Sequence, residues 1–199
     1  MPTPEKTSLN RIVAAGRDLL EADGPQGLTM QNVAERVGVR APSLYKHVRN
    51  RAALLAAVAE ATIDDLAARL ESTDGSIEGL VRGYRQFAQA WPEGFRLMLS
   101  PDAPPEALAR AAAPMLHASG QLVGERDALE AARLVTAWAT GFIEMELIGA
   151  FRLGGDVDRA FEYGLAGIRR ALADGPAGKP RGRHPAEGGP VRPQQDAPR

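Results

Sequence analysis

Apolar residues recur every three to four positions through almost the whole chain, the period of an amphipathic helix, and no segment shows strand-like alternation or a hairpin signal. The first stripe, Ile12, Ala15, Leu19 and Leu20, predicts a helix over about 9–22, with Ser8 placed to cap it and Asp23-Gly24-Pro25 to stop it. Met30, Val33, Ala34 and Val37 predict a second helix, capped by Thr29 and ended by Gly38, which takes a left-handed conformation with little strain. Pro42 suits the first turn of a third, short helix whose Leu44 and Val48 face inward. Asn50 can cap a fourth, which Leu54, Leu55, Val58, Ile63 and Leu66 carry onward to about Leu70.

The pattern breaks over 72–76 and then resumes. It predicts helices over 77–90, around 95–99, over 106–123 with a bend at Pro114, over 127–151 and over 157–173, with "SPDAPP" as a loop and Gly154-Gly155 as a turn. After Asp174 the chain is rich in Gly, Pro and charge and has no large apolar residue other than a single valine, so burial cannot offset the entropy of ordering it. The expected fold is all-α: an N-terminal three-helix head (1–52), a larger helical domain (53–174) and a disordered tail (175–199).

Helix, glycine turn and short second helix form the helix-turn-helix arrangement, here joined by Val37, Val39, Leu44 and Val48. That inward set leaves Pro42, Ser43, Tyr45, Lys46, His47 and Arg49 on or near the outer face. Their hydroxyls, imidazole and cations are groups that hydrogen-bond base edges and phosphate oxygens. Charge sharpens the picture. The chain has a formal net charge of only -1, yet Arg36, Arg40, Lys46, Arg49 and Arg51 fall in one stretch that contains no Asp or Glu. Counterion release from DNA rewards such a local cluster whatever the net charge. A solvated basic helix face is the alternative.

The segment "GLTMQNVAERVGVRAPSLYKHVRNRAALL", with "RIVAAGRDLLEADGPQG" before it, resembles the DNA-binding region of the TetR family of repressors. The likeness lies in the Leu-Thr entry, the Ala-Glu-Arg-Val-Gly-Val turn and the Leu-Tyr-x-His-Val recognition helix. It implies an all-helical homodimer with a three-helix DNA head on an effector-binding and dimerisation domain. It also implies that Gln31, Ala41, Pro42, Ser43 and Lys46 approach bases, that Thr29, Tyr45, His47 and Arg51 hold phosphates, and that Arg40 completes the interface. Ala41 is too small to read a base by hydrogen bonding, and Lys46 stands where an aromatic residue is frequent, so no operator preference carries over. Further on, "AWPEGFRLMLS" and "AWATGFIEMELIGAF" resemble a regulatory domain of a subset of the family, the WHG type, with Trp91 and Thr140 where that subset often has histidine.

The helix expected over 127–151 is apolar on more than one side. Leu134, Val135, Trp138, Phe142 and Met145 make one stripe, while Ile143, Leu147 and Phe151 lie well around from it. A helix apolar all round must be covered all round. The last helix pairs a large stripe (Val157, Phe161, Leu165, Ile168, Leu172) with a small one, Ala160, Gly164, Gly167 and Ala171. Glycine inside a helix costs about 1 kcal/mol relative to alanine, so two of them point to close backbone approach. Ile143, Leu147, Phe151 and the small stripe are therefore expected at a two-fold dimer interface of four helices, with packing inside one subunit as the alternative. Phe87, Trp91, Phe95, Met98, Met115, Leu116, Trp138, Phe142 and Met145 are expected to wall an adaptable effector pocket, unless they are ordinary core. Glu144 and Glu146 are expected to hold a cationic ligand, to face water or to meet an arginine of the protein.

Composition excludes more than it adds. Of 199 residues, 44% are hydrophobic and 25% charged, as in ordinary globular proteins, and the absence of cysteine rules out thiolate metal sites and thiol nucleophiles. The polar start, 1–8, is unlike a signal peptide, and the most apolar stretch is too short to span a bilayer, so a cytoplasmic protein with no membrane partner is expected. His47, His117 and His184 are scattered, and no HExxH, GxSxG, P-loop or GxGxxG occurs. No catalytic residue, metal or cofactor is expected. The expected partners are a palindromic double-stranded DNA operator, a second copy of the chain and an unidentified small-molecule effector. A helical protein-binding adaptor and an all-helical enzyme are the rival readings. Lys179, Arg181, Arg183 and Arg192 would add nonspecific DNA affinity if the tail is more than solvated chain.

Overall fold

The computed structural model describes residues 7–175, and its regular structure is helical throughout. The expected tail, beyond Gly175, lies outside the described residues, together with Lys179, Arg181, Arg183, Arg192 and His184. Among the described residues no helix is long and apolar enough to cross a membrane.

The helices are α1 (Leu9–Gly27), α2 (Met30–Val37), α3 (Ala41–Leu44), α4 (Arg51–Glu71), α5 (Ile77–Ala90), α6 (Pro92–Met98), α7 (Pro105–Val123), α8 (Ala128–Leu147) and α9 (Val157–Asp174). The sequence-encoded caps form. Ser8, Thr29 and Asn50 each accept a backbone N–H, from Arg11, Asn32 and Ala53. Helix α1 breaks where its stop signal lies, with Gly24 at φ 70°. Gly38, at φ 80°, closes α2 while its N–H and that of Val39 satisfy the last carbonyls, Glu35 and Ala34.

Helix α8 ends at Leu147, one turn short of the expected 151. Gly149, at φ 65°, turns the chain, and the Gly149 and Ala150 N–H groups return to the Glu146 and Met145 carbonyls. That closure competes with a further helical turn and wins because glycine takes a left-handed conformation without a Cβ clash. Phe151 therefore leaves the helix, and its ring lies 4.8 Å from that of Phe142 in the same chain.

Two hydrophobic cores result. One joins α1, α2, α3 and the first half of α4 around Ile12, Leu20, Leu28, Val33, Leu44, Leu54 and Val58. The other joins the second half of α4 with α5, α7, α8 and α9 around Ile63, Leu80, Phe87, Phe95, Val135, Ile143, Phe161 and Leu165. The boundary expected at 52/53 falls in the first turn of α4, a continuous helix that serves both cores. Helix α6 serves both as well: Leu97 packs into the first core, and Phe95 and Met98 into the second.

Head and body meet at a polar seam. The Glu21 carboxylate accepts the N–H groups of Gly94 (2.7 Å) and Glu93 (3.2 Å) at the start of α6. Arg17 lies 5.3 Å over the Trp91 ring and pairs with Asp65 at 2.5 Å. Gly94 is tight against this seam, since a Cβ there would meet Thr62 at 3.0 Å and Glu21 at 3.1 Å.

Candidate nucleic-acid interface and body cavity

Burial of Val33, Val37, Leu44 and Val48 turns the rest of the α2–α3 unit outward. Tyr45 is 54% exposed despite its ring. Lys46, His47, Arg40 and Arg49 are exposed, and none of the four makes a side-chain hydrogen bond or ion pair to a described residue. Pro42 is exposed beside them, Ser43 is half-buried, and Ala41 packs on the first core. Cations left without protein partners on one surface are available to phosphate.

Other expected contacts already have work inside the protein. Arg51 has the clearest of these internal partners. Its Nε donates to the Leu28 carbonyl at 2.9 Å and its Nη2 to the Pro25 carbonyl at 2.5 Å, so it ties the α1–α2 loop to the start of α4. Thr29 spends its hydroxyl as the α2 cap, and Gln31 donates to Glu35 at 3.0 Å on the solvent side of α2. Arg36 lies 3.8 Å from Asp18, a pairing that removes it from the free cations. Arg49, absent from the residues carried over from the family, is legible from its place in the basic run.

The body contains an apolar cavity of about 160 Å³ between α4, α5, α7 and α8, with Met98 and Leu99 at the α6 end. Of the nine expected wall residues only Met98 and Met115 line it. Phe87 and Phe95 are enclosed core side chains. Trp138 and Phe142 belong to an aromatic cluster with Phe161, at ring separations of 5.4 Å and 5.3 Å. Trp91 sits at the head–body seam, and Leu116 and Met145 are exposed. An aromatic ring at helical spacing fills space most completely between three helices, which leaves the void where smaller aliphatic side chains meet. Leu66, Leu70, Tyr84 and Ala139 are among the wall residues that the sequence reading did not name. The apolar stripes of α4 and α5 contain the first three, but no periodicity distinguishes a cavity wall from core.

Tyr84 is, with Thr136, a polar residue of this wall. Its hydroxyl is 3.1 Å from Thr140 Oγ1, and its ring tilts against Phe95 at 5.2 Å. Burial pushes its phenol up to about 12, opposed by the Thr140 hydrogen bond and aided by the Glu144 charge.

Glu146 meets an arginine of its own chain. Arg85 grips it through two bonds of 2.8 and 2.5 Å, also donates to Asp158 at 2.7 Å and lies 4.5 Å over the Phe161 ring. These contacts, the Glu146 hydrogen bond foremost, raise the Arg85 pKa against the opposing effect of burial. Glu144 lies 3.7 Å from Arg96.

The expected dimer residues also divide. Ile143 is fully enclosed by its own chain, and Leu147 packs on the same core. A Cβ on Gly164 would lie 2.5 Å from Trp138, so the glycine makes room for an indole of its own subunit. Ala160, Gly167 and Ala171 remain exposed, and Gly167 has nothing within 4 Å of where a Cβ would be. Beside them α8 exposes Leu134, Ala137, Gly141 and Met145, with Ile148 just beyond its end.

Residues 12–58 match the family model "Bacterial regulatory proteins, tetR family", and residues 77–168 match "Tetracyclin repressor-like, C-terminal domain". A tetracycline repressor protein of class A from Escherichia coli transposon 1721 is 33% identical over 179 residues, covering 85% of this chain and 81% of that protein. The chain belongs to the TetR family. An uncharacterized HTH-type transcriptional regulator of Mycobacterium tuberculosis is 31% identical, with 73% of each chain covered. Among solved structures, a protein of unknown function from Rhodococcus sp. RHA1 superposes with a TM-score of 0.71 at 27% identity, covering 87% of this chain and 100% of that one. A possible TetR family regulator from Streptomyces coelicolor gives a TM-score of 0.68 at 24% identity, with 84% and 99% covered. The chain is thus a TetR-like DNA-binding transcriptional regulator, and both matched domains are those of regulatory proteins.

Proposed function

We propose that this regulator acts as a homodimeric repressor, bound to a palindromic operator and released from it by a small-molecule effector. Arg40, His47 and Arg49 would supply phosphate contacts, with Thr29, Tyr45 and Arg51. Gln31, Ala41, Pro42, Ser43 and Lys46 would lie nearest the bases. The observation that carries the proposal is the set of exposed cations on the helix-turn-helix surface that have no side-chain partner among the described residues.

The proposed dimer brings together the exposed apolar stripe of α8 and the small-residue face of α9 from two copies of the chain. Leu134, Met145 and Ile148 are large, apolar and exposed, and Ala160, Gly167 and Ala171 beside them permit close helix approach. Two heads held by a two-fold axis would address half-sites about 34–36 Å apart. The effector would enter the body cavity. Met98 forms part of that wall, while its neighbour Leu97 packs in the head core and Glu21 of α1 holds the start of α6. A ligand that displaces α6 therefore bears on the head directly. The name of the tetracycline repressor relative does not supply this chain's ligand, because that name describes the relative.

Selection of DNA on the purified protein, followed by footprinting with and without effector candidates, tests the proposal. A two-fold symmetric footprint supports it. Binding to a protein partner that is insensitive to salt, with no footprint, would favour an adaptor.

A further inference from the structure

The body cavity, at about 160 Å³, is close to the ~150 Å³ of an apolar protein cavity that stays dry yet accepts benzene, and well below the ~300–1,000 Å³ of pockets for drug-sized ligands. No charged side chain lines it. Its wall combines aliphatic residues such as Leu66 and Leu80 with the thioethers of Met98 and Met115, and sulfur meets aromatic ring edges favourably. An ion entering it would lose hydration and find no opposite charge.

Among the described residues, Tyr84 and Thr136 are the polar side chains on this wall. The Tyr84 and Thr140 hydroxyls bond only to each other among the described residues. Each hydroxyl carries one donor and two acceptor sites, so the pair retains a proton and lone pairs for a third group. Access is open, because Leu99, Leu108, Ala112 and Thr136 on the wall are themselves exposed.

We propose that the effector is a small, uncharged, monocyclic aromatic molecule of the phenol class, its ring against Met98 and Met115 and its hydroxyl at Tyr84. The proposal rests on reading this cavity as the effector site of the regulator.

Isothermal titration of the full chain with p-cresol, toluene, benzoate and tetracycline plus Mg²⁺ tests it. The expected result is one p-cresol per chain, toluene about fivefold weaker for want of one hydrogen bond, and no heat from benzoate or the tetracycline chelate. Tyr84→Phe should remove the advantage of p-cresol and leave toluene unchanged. Ala139→Leu should abolish binding of both while helical content is preserved, and Ala112→Phe at the exposed mouth serves if that variant fails to fold. Absence of p-cresol binding, its survival in the filled cavity, or preferential binding of the chelate overturns the proposal. Binding of p-cresol by a protein that binds no DNA would uphold the ligand class and remove the regulatory reading; DNA binding without p-cresol binding would do the reverse.

Discussion

Gly164 of α9 faces the indole of Trp138 on α8 so closely that a Cβ on the glycine would lie 2.5 Å from Trp138 Cζ2. The close approach inferred from two helical glycines is thus real for one of them, but its partner is a side chain of the same subunit. Gly167, one turn on, faces open space. The pair separates folding from assembly.

Gly164→Ala should destabilise the fold by about 1–3 kcal/mol, because Trp138 must shift within a stacked aromatic cluster. Chemical denaturation measures this, and wild-type stability would show that the indole yields freely. Gly167→Leu should leave the subunit folded and shift sedimentation from dimer to monomer. An unchanged dimer would place the interface elsewhere.

Arg49→Ala should weaken DNA binding across all sequences and reduce the slope of log affinity against log salt by about 1, the signature of one lost phosphate contact. Tyr45→Phe should also weaken binding, and neither change should unfold a head in which both side chains are exposed. Fluorescence anisotropy at several salt concentrations reads both. Wild-type affinity and slope would remove these residues from the interface.

Glu21→Ala should cost about 1 kcal/mol, a usual figure for a lost helix N-cap, since its carboxylate accepts both N–H groups at the start of α6. Differential hydrogen exchange should place the loosening at residues 93–98. Unchanged protection there would mean that the seam is held by packing alone.

Tyr84 makes stability depend on alkaline pH. Its folded pKa, about 12, lies above the ordinary tyrosine value of 10.0. The contribution is therefore complete below pH 10 and lost as pH rises from there through 12, an effect on the order of 2–3 kcal/mol. Urea denaturation across that range should show the loss in the wild type and a smaller one in Tyr84→Phe. Equal losses would mean that the phenol is better solvated than its surroundings indicate.

The head was legible almost residue by residue, because its signals are local. A cap at Thr29, a glycine at the α2 terminus and four inward residues at helical spacing determine a helix-turn-helix whatever the rest of the chain does. Arg51 escaped the same reasoning: nothing local says that its guanidinium reaches back to the Pro25 and Leu28 carbonyls. In the body the helices were legible, but their partners were not. Trp138 and Phe142 look equally suited to core and to cavity, and only the placement of Phe161 makes them core. The void appears instead where Leu66, Leu80 and Ala139 from three helices fail to fill the space between them. Glu146 sits on an apolar helix because Arg85, 61 residues earlier, neutralises it.

Footprinting combined with mass measurement of the complex, over a range of salt, tests the central claim most directly. The account predicts a two-fold symmetric protected site, two chains per site, and affinity that falls steeply as salt rises. No protection of any DNA at low ionic strength, or protection by a single chain, would contradict it.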